Sequence, residues 1–567
     1  MEKVATWIKN LTDRTGLSPL RGRGNIAYSC YVDSHPKFEW QATLFCASLI
    51  RNGRVDPGDI YVHINPGVSN QFRKLVEGFG ANCVEAEPFD QTHPYCNKIV
   101  QTRTEALSKY QAVVLCDCDL YVLAPFSQTL GEDEALGRTV DRPNPPLQML
   151  EEIYLKSSLA FPNAVPVGYP LSTDEKTFAT NWNGGFYVLR GDRIGAFGEA
   201  WARFARGLLG REEEALGDYK VHVDQVAFGM ALDELELSWS ALNPAHNVPT
   251  HLPVSEHAQF SKELGSLHYH SMQDYLGRLM PSKEPSLNGA IAAASEQIED
   301  LIRSRILADS NFAQVFEKWQ DHCSEAGPKE LEQAACAFRE PRYLRHSARR
   351  LEHLASLHLD ISGRSVLELG AGIGEHSQFF LDRGCSVFSV EPRDENVAFM
   401  RKRHSDDAEH LPGKNHFVLK ASADEAVELL SGNKFEIVYN YGLLYHMANP
   451  REFLRASAGL CGGLYLLETA ISDLVSMDTK YSEDQANLTN AIDGECVLLS
   501  REEIFSILQE EFRYAYVPRT QPAHEQFLKD WSRAPDINPG RHRAIFIGSL
   551  TPIESPLLSP VLLMEHE

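Results

Sequence analysis

Two stretches of this 567-residue sequence carry residue types at a spacing that could do chemistry. The first is Asp117-Cys118-Asp119, two carboxylates flanking one residue at the end of the apolar run Ala112–Cys116. At the carboxyl end of a strand, such a pair lies on the edge where open α/β sheets bind ligands. Its hard oxygen donors can hold Mg²⁺ or Mn²⁺ against a diphosphate while the partner acid reaches a ribose. The second is Ser365–Gly374, SVLELGAGIG, an apolar run that enters a turn with glycines at Gly370, Gly372 and Gly374. Without Cβ atoms the backbone there can pass close beneath a ligand. A further apolar run, Ser386–Val390, ends in Glu391, where a ribose diol would lie.

The ligand of the glycine turn follows from charge. A dinucleotide asks for G-x-G-x-x-G and a helix N-terminus open to pyrophosphate. Here the spacing is G-x-G-x-G, Glu368 closes the strand and Glu375 opens the helix. Two carboxylates repel phosphate but suit an ammonium and a sulfonium, the charges of S-adenosylmethionine (SAM). Glu368, Gly370, Gly372, Gly374 and Glu391 are the expected cofactor-binding residues.

Both stretches need α/β alternation to position them, and the sequence shows it twice. Strands are expected at Asn25–Val32 and Asp59–Ile64, with helices at Trp40–Arg51, Ser69–Phe79 and Cys96–Lys109 before the Asp117 strand. From Pro281 to about Glu340 the rhythm stops, and Ile291–Leu307 and Asn311–Cys323 read as helices of a connector. Helix Pro341–Leu357, with Arg342, Arg345, Arg349 and Arg350, reads as a solvated basic face leading the second unit, with a contact for an anionic acceptor as the alternative. Strands follow at His416–Lys420, Phe435–Asn440 and Gly463–Glu468. The polar stretch Ser472–Cys496 reads as an acceptor lid, and Phe512–Val517 with His542–Ser549 as a closing strand pair. The expected domains are 1–280, a connector 281–340, and 341–567.

The segment Lys109–Phe126, KYQAVVLCDCDLYVLAPF, resembles the D-x-D strand of GT-A glycosyltransferases such as glycogenin and the bacterial lipopolysaccharide glycosyltransferases. The order of later motifs is similar too, over about Ile26–His270. The resemblance implies a nucleotide-sugar site in which Lys98, Asp117, Asn183, Gly184 and Gly185 contact the donor. It also implies that Asp224 is a catalytic residue and that Asp117, Asp119 and a late histidine, His268, hold the metal. His270 lies two residues on and would share the face of His268 on a strand. Asn183-Gly184-Gly185 also fits a plain turn, and Asp224 a helix N-cap. Cys116 and Cys118 read as core-facing. Departures from the pattern are Cys118 between the acids and Gly184 in place of serine.

Glu368–Gly374 and Glu391 resemble the first motif and the ribose-binding acid of class I SAM-dependent methyltransferases. That resemblance implies Asp424 near adenine. It places Asn440 and the Leu444-Tyr445-His446 segment at the edge facing the methyl group, similar to small-molecule methyltransferases and those modifying the tRNA wobble uridine. A neutral imidazole at His446 could take a proton from an acceptor hydroxyl; a histidine bonded to the backbone is the plainer alternative.

A net charge of −24 argues against broad binding to nucleic acid or anionic membrane. Eleven cysteines without a C-x-x-C pair suggest neither a disulfide framework nor a zinc site. MEKVATWIKN lacks a signal peptide's apolar run, and no stretch approaches a membrane span, so a cytoplasmic protein is expected. The expectation is a bifunctional α/β enzyme: an N-terminal GT-A domain joined by a helical connector to a Rossmann-like class I methyltransferase domain. It would use a nucleotide-diphosphate sugar with Mn²⁺ or Mg²⁺, SAM, and a sugar or glycoside acceptor. The rival is a methyltransferase of tRNA or a small molecule carrying a non-catalytic nucleotide-sugar-binding scaffold.

Overall fold

The computed structural model describes residues 25–167, 175–210, 216–252, 264–324, 326–410, 416–472, 479–490, 492, 494–532 and 542–567. The N-terminal lead-in and residues 473–478 of the expected lid lie outside them. The chain divides into two compact units, Met1–Leu301 with Ala308–His322, and Ile302–Leu307 with Cys323–Glu567.

In the first unit a seven-stranded sheet runs in the order Trp239–Ala241, Ala135–Gly137, Phe186–Arg190, Ala112–Cys116, Ile26–Val32, Ile60–Ile64, Asn82–Glu85. Ile26–Val32 pairs in parallel with both Ile60–Ile64 and Ala112–Cys116, while Phe186–Arg190 enters antiparallel to Ala112–Cys116. Helix Pro36–Arg51 is buried on all sides from Glu39 to Leu49, and Ile194–Leu209 buries an apolar stripe against this unit's core, where Tyr187 stacks on Phe228 with centroids 3.7 Å apart. The stretch expected as helix Cys96–Lys109 forms 3₁₀ turns, Pro94–Arg103 and Glu105–Lys109. Its side chains are committed elsewhere: Asn97 donates to Asp33 and accepts from the Asp90 amide. Helix Ser310–His322, read as connector, packs onto the first unit, with Phe312 and Phe316 at 5.7 and 5.0 Å from the Trp40 ring.

The second unit is an eight-stranded sheet in the order His416–Lys420, Ser386–Glu391, Ser365–Leu369, Phe435–Tyr441, Cys461–Ala470, Arg543–Ser549, Tyr514–Pro518, Leu558–Ser559. The first five strands are parallel and Arg543–Ser549 is antiparallel to Cys461–Ala470. The strand order reverses direction between Ser365–Leu369 and Phe435–Tyr441, which puts the glycine turn at the crevice where such sheets bind ligands. Gly327-Pro328, which reads as a break, caps a further helix, Pro328–Phe338, with the proline at its first turn. The basic helix Pro341–Ser356 is not uniformly solvated, because Arg350 is buried. Strand Thr479–Ser482 pairs antiparallel with Glu495–Leu498. Among the described residues, no helix is long and apolar enough to cross a membrane.

Candidate functional site

In the first unit, a cleft of about 540 Å³ opens at the carboxyl end of Ala112–Cys116, a size suited to a small ligand. The short strand Ser266–His268 pairs antiparallel with Leu120–Val122, which sets His268 opposite Leu120 and beside Asp119. His268 Nε2 lies 3.2 Å from Asp119 Oδ1, and His270 Nδ1 lies 3.7 Å from Asp119 Oδ2. One ligand atom from each of the three falls within 4.8 Å of the others. Burial opposes charge on Asp119, but His268 and then His270 outweigh it and take the carboxyl down to about 2. Apart from the Asp119 Oδ1–His268 Nε2 ion pair itself, these two buried atoms and the buried His270 Nε2 have no hydrogen-bond partner, a state that a metal ion would relieve. The donor set of one carboxylate and two imidazoles therefore fits a divalent transition ion.

Asp117 stands outside that group. Its Oδ1 is 2.5 Å from Lys98 Nζ, and the same ammonium lies 3.4 Å from Asp224 Oδ2 and donates to the Gly184 carbonyl at 3.1 Å. Asp117, expected as a metal ligand, is here paired with an ammonium held between two carboxylates and is not among the three residues whose ligand atoms converge. Asp224 is no helix cap: His222 holds that position, and Asp224 is buried in the first turn of Val223–Glu234. Burial raises its carboxyl to about 6 even with Lys98 pulling the other way.

Asn183, Gly184 and Gly185 line the same cleft. Asn183 Oδ1 accepts from the Gly185 amide at 3.0 Å and from Asn247 Nδ2 at 2.9 Å, while its Nδ2 donates to Asp141 at 2.9 Å. Gly185 is required sterically, since a Cβ there would sit 2.5 Å from His268 Cε1 and 2.6 Å from Asn247 Oδ1. Asp141 and Asn247 were not legible in the sequence; each lies in an irregular segment with no motif around it.

In the second unit, Gly370 and Gly372 line a pocket with Glu391, Asp424 and His446. Gly372 has φ +57°, and a Cβ there would lie 2.6 Å from the Phe338 ring. Glu391 accepts from the Gly372 amide at 2.9 Å, the Arg393 amide at 3.2 Å and Asn396 Nδ2 at 3.1 Å. This glycine cradle with an acid at its rim fits SAM.

Three residues expected to bind the cofactor do not line that pocket. Glu368 points inward, accepting from Ser377 Oγ and, at 2.8 Å, from Ser389 Oγ, and burial holds its carboxyl up at about 7. Gly374 packs against Met400 behind the turn. Asn440 donates to Tyr465 at 3.0 Å, because strand alternation gives the opposite face to Tyr439 and Tyr441.

His446 lies at the pocket's edge with Nδ1 at 2.8 Å from Glu483 Oε2, and Cys496 Sγ lies 3.9 Å from the same nitrogen. Strand Thr479–Ser482, paired with Glu495–Leu498, brings Glu483 there, a partner that the polar, aperiodic sequence did not announce. Beneath this edge Glu468 is fully buried between Arg350 Nη1 at 2.9 Å and Arg543 Nη1 at 2.8 Å.

Residues 29–236 match the family described as a Rhodobacterales glycosyltransferase domain, and residues 338–511 match a methyltransferase domain. The chain is 32% identical over 120 residues to the tRNA U34 carboxymethyltransferase of Azotobacter vinelandii, covering 20% of this chain and 35% of that protein. It is 33% identical over 117 residues to the protein of the same name from Idiomarina loihiensis, covering 20% and 34%. The chain thus spans about a third of the length of these curated relatives. Among solved structures, the N-terminal domain of EvdMO1, crystallised in the presence of SAH and D-fucose, is 18% identical. It covers 35% of this chain and 81% of its own, with a TM-score of 0.28.

Proposed function

From a chain that carries a glycosyltransferase domain and a class I methyltransferase domain, we propose a bifunctional enzyme of glycoside or surface-polysaccharide biosynthesis. One unit, of GT-A type, transfers a sugar from a nucleotide-diphosphate donor, and the other transfers a methyl group from SAM to an oxygen of the product. The observation that carries the reading is the convergence of Asp119, His268 and His270 in one cleft with Lys98, Asp224 and the Asn183-Gly184-Gly185 turn.

A Mn²⁺-class ion held by Asp119, His268 and His270 would neutralise the diphosphate as it leaves. Lys98 adds a fixed positive charge at the same edge and ties Asp117 to Asp224. Asn183, ordered by Asp141 and Asn247, presents the Gly184-Gly185 backbone to the donor sugar beside Asp224.

In the other unit SAM supplies the methyl group. Gly370 and Gly372 admit it, and Glu391 accepts from its ribose hydroxyls. Asp424 lies on the same pocket wall. Glu483 accepts from Nδ1–H of His446 and so leaves Nε2 as the acceptor of the substrate hydroxyl's proton.

Exhaustive chelation should abolish turnover of nucleotide sugars, and Mn²⁺ should restore it better than Ca²⁺, which prefers all-oxygen sites. A thermal-shift panel of nucleotide sugars with and without Mn²⁺ identifies the donor; full turnover in the chelated enzyme sinks the reading. A second reading, methyl or carboxymethyl transfer to tRNA, draws on the relatives' name. The charge of −24 opposes it, and a gel shift with total tRNA separates the two.

A further inference from the structure

Behind the imidazole of His446 lies a second group of metal-ligating side chains. Strand Thr479–Ser482 pairs with Glu495–Leu498 in a register that sets Tyr481 opposite Cys496. The Glu483 amide donates to the Gly494 carbonyl at 2.9 Å and carries that ladder one step further. Side chains two apart share a face, so Glu483 and Cys496 are diagonal neighbours across the pair. The turn Leu444–His446 brings the His446 ring to both. Its Nδ1 lies 2.8 Å from Glu483 Oε2 and 3.9 Å from Cys496 Sγ. One ligand atom from each of the three falls within 4.8 Å of the others.

Those separations bracket the ~3.5 Å edge of a tetrahedron built on zinc's bond lengths of about 2.0–2.3 Å. The charges match as well. One carboxylate and one thiolate cancel a divalent ion, as a buried position demands, and Cys496 is 1% exposed. Sulfur and imidazole select Zn²⁺ over Mg²⁺, Mn²⁺ or Ca²⁺, whereas the Asp119 group of the first unit has no sulfur. The Tyr481 hydroxyl lies 3.5 Å from Glu483 Oε1, where it orients the carboxylate.

We infer that His446, Glu483 and Cys496 form a Zn²⁺ site that holds the methyl-transfer base inactive. The ion's position argues against a part in the reaction itself. His446 lines the pocket with Gly372 and Glu391, whereas Glu483 and Cys496 do not. The ion therefore lies behind the ring, away from the substrate. Binding forms bonds to Sγ, Nδ1 and the Glu483 carboxylate, and releases the Cys496 thiol proton to solvent. Nδ1 then cannot keep the hydrogen that Glu483 accepts, and the neutral imidazole carries it on Nε2. An Nε2–H has no lone pair for a substrate proton. This consequence rests on the methyl-transfer reading; the metal site itself does not.

The test uses the full chain, with Co²⁺ as the visible probe and Zn²⁺ as its competitor. Co²⁺ should produce thiolate-to-cobalt charge-transfer absorption, which Zn²⁺ then removes. Cys496→Ser should abolish that absorption, and Glu483→Gln should weaken Co²⁺ binding there about tenfold or more. SAH affinity within about threefold of the unaltered chain shows that both variants are folded. With SAH bound, ¹⁵N-histidine spectra should show the His446 hydrogen on Nδ1 without metal and on Nε2 with Zn²⁺. Absence of the absorption in the unaltered chain, or its survival in Cys496→Ser, overturns the site. A hydrogen that stays on Nδ1 in the presence of Zn²⁺ overturns the inactivation. Failure of SAH to bind the unaltered chain is a different result and brings down the methyl-transfer reading itself.

Discussion

Asp119→Ala lowers sugar transfer by about 10³-fold or more and leaves SAH affinity unchanged: this is the largest effect expected from a single substitution. Asp119 is the one carboxylate of the three-residue group and touches both histidines. Its loss leaves two imidazoles and removes the anionic ligand that holds a hard, doubly charged ion. Charge stabilisation by such an ion contributes several kcal/mol to a departing diphosphate, and each ~1.36 kcal/mol is tenfold in rate. The glycine turn belongs to the other compact unit, and substitutions in separate units add without coupling. Nucleotide release and SAH calorimetry on the same preparation decide it. Sugar transfer within tenfold of the unaltered enzyme removes Asp119 from the site, and loss of SAH binding removes the two-site reading.

The second large effect is on the cofactor. Glu391→Ala should weaken SAH binding by about 10²-fold or more, because each hydrogen bond to a charged group is worth ~1.5–3 kcal/mol and a ribose diol makes two. The carboxylate also holds the Gly372 amide, so its loss loosens the turn as well. A pH signature accompanies this. Burial raises the Glu391 carboxyl from its ordinary value of 4.5 to about 7. A raised folded value favours the neutral form, so the contribution to stability is full below about 4.5 and is lost as pH rises through about 7. Binding the diol needs the charged form and runs the other way. SAH affinity should therefore fall between pH 8 and 6 in the unaltered chain and stay flat in Glu391→Gln, with Glu368 common to both. An unchanged affinity in Glu391→Ala, or parallel pH profiles, would remove Glu391 from the ribose site.

What the sequence made legible was local. Ser365–Gly374 and Glu391 are read from strand period and glycine spacing, both short-range signals, and the fold places them as expected. The Asp119–His268 contact joins residues far apart in sequence, and only the ordered resemblance to a known family linked them. Pleat direction defeated Asn440, whose neighbours Tyr439 and Tyr441 occupy the other face. Glu368 was lost in a similar way, because a strand-end carboxylate turned inward meets Ser377 and Ser389 before it meets solvent. Arg350 shows a deeper limit. In a helix with four arginines nothing local separates the buried one from the solvated ones, and its partner Glu468 lies 118 residues away. The pairing of Asp117 with Lys98 was invisible for the same reason, since an acid spaced for metal is also spaced for a cation of the chain's own.

Helix Ser310–His322 bears on how the two activities can be separated at the bench. Trp40 is 0% exposed because Phe312 and Phe316 cover it. A truncation ending at residue 280 would uncover an indole and the apolar face around it, a patch that invites self-association. Extending the cut to His322 keeps the cover in place. Size-exclusion chromatography of the two truncations should find aggregates for the shorter and a monodisperse species for the longer. The divide between the activities is therefore best sought beyond His322, after the strand-and-helix alternation of the first unit has already ended.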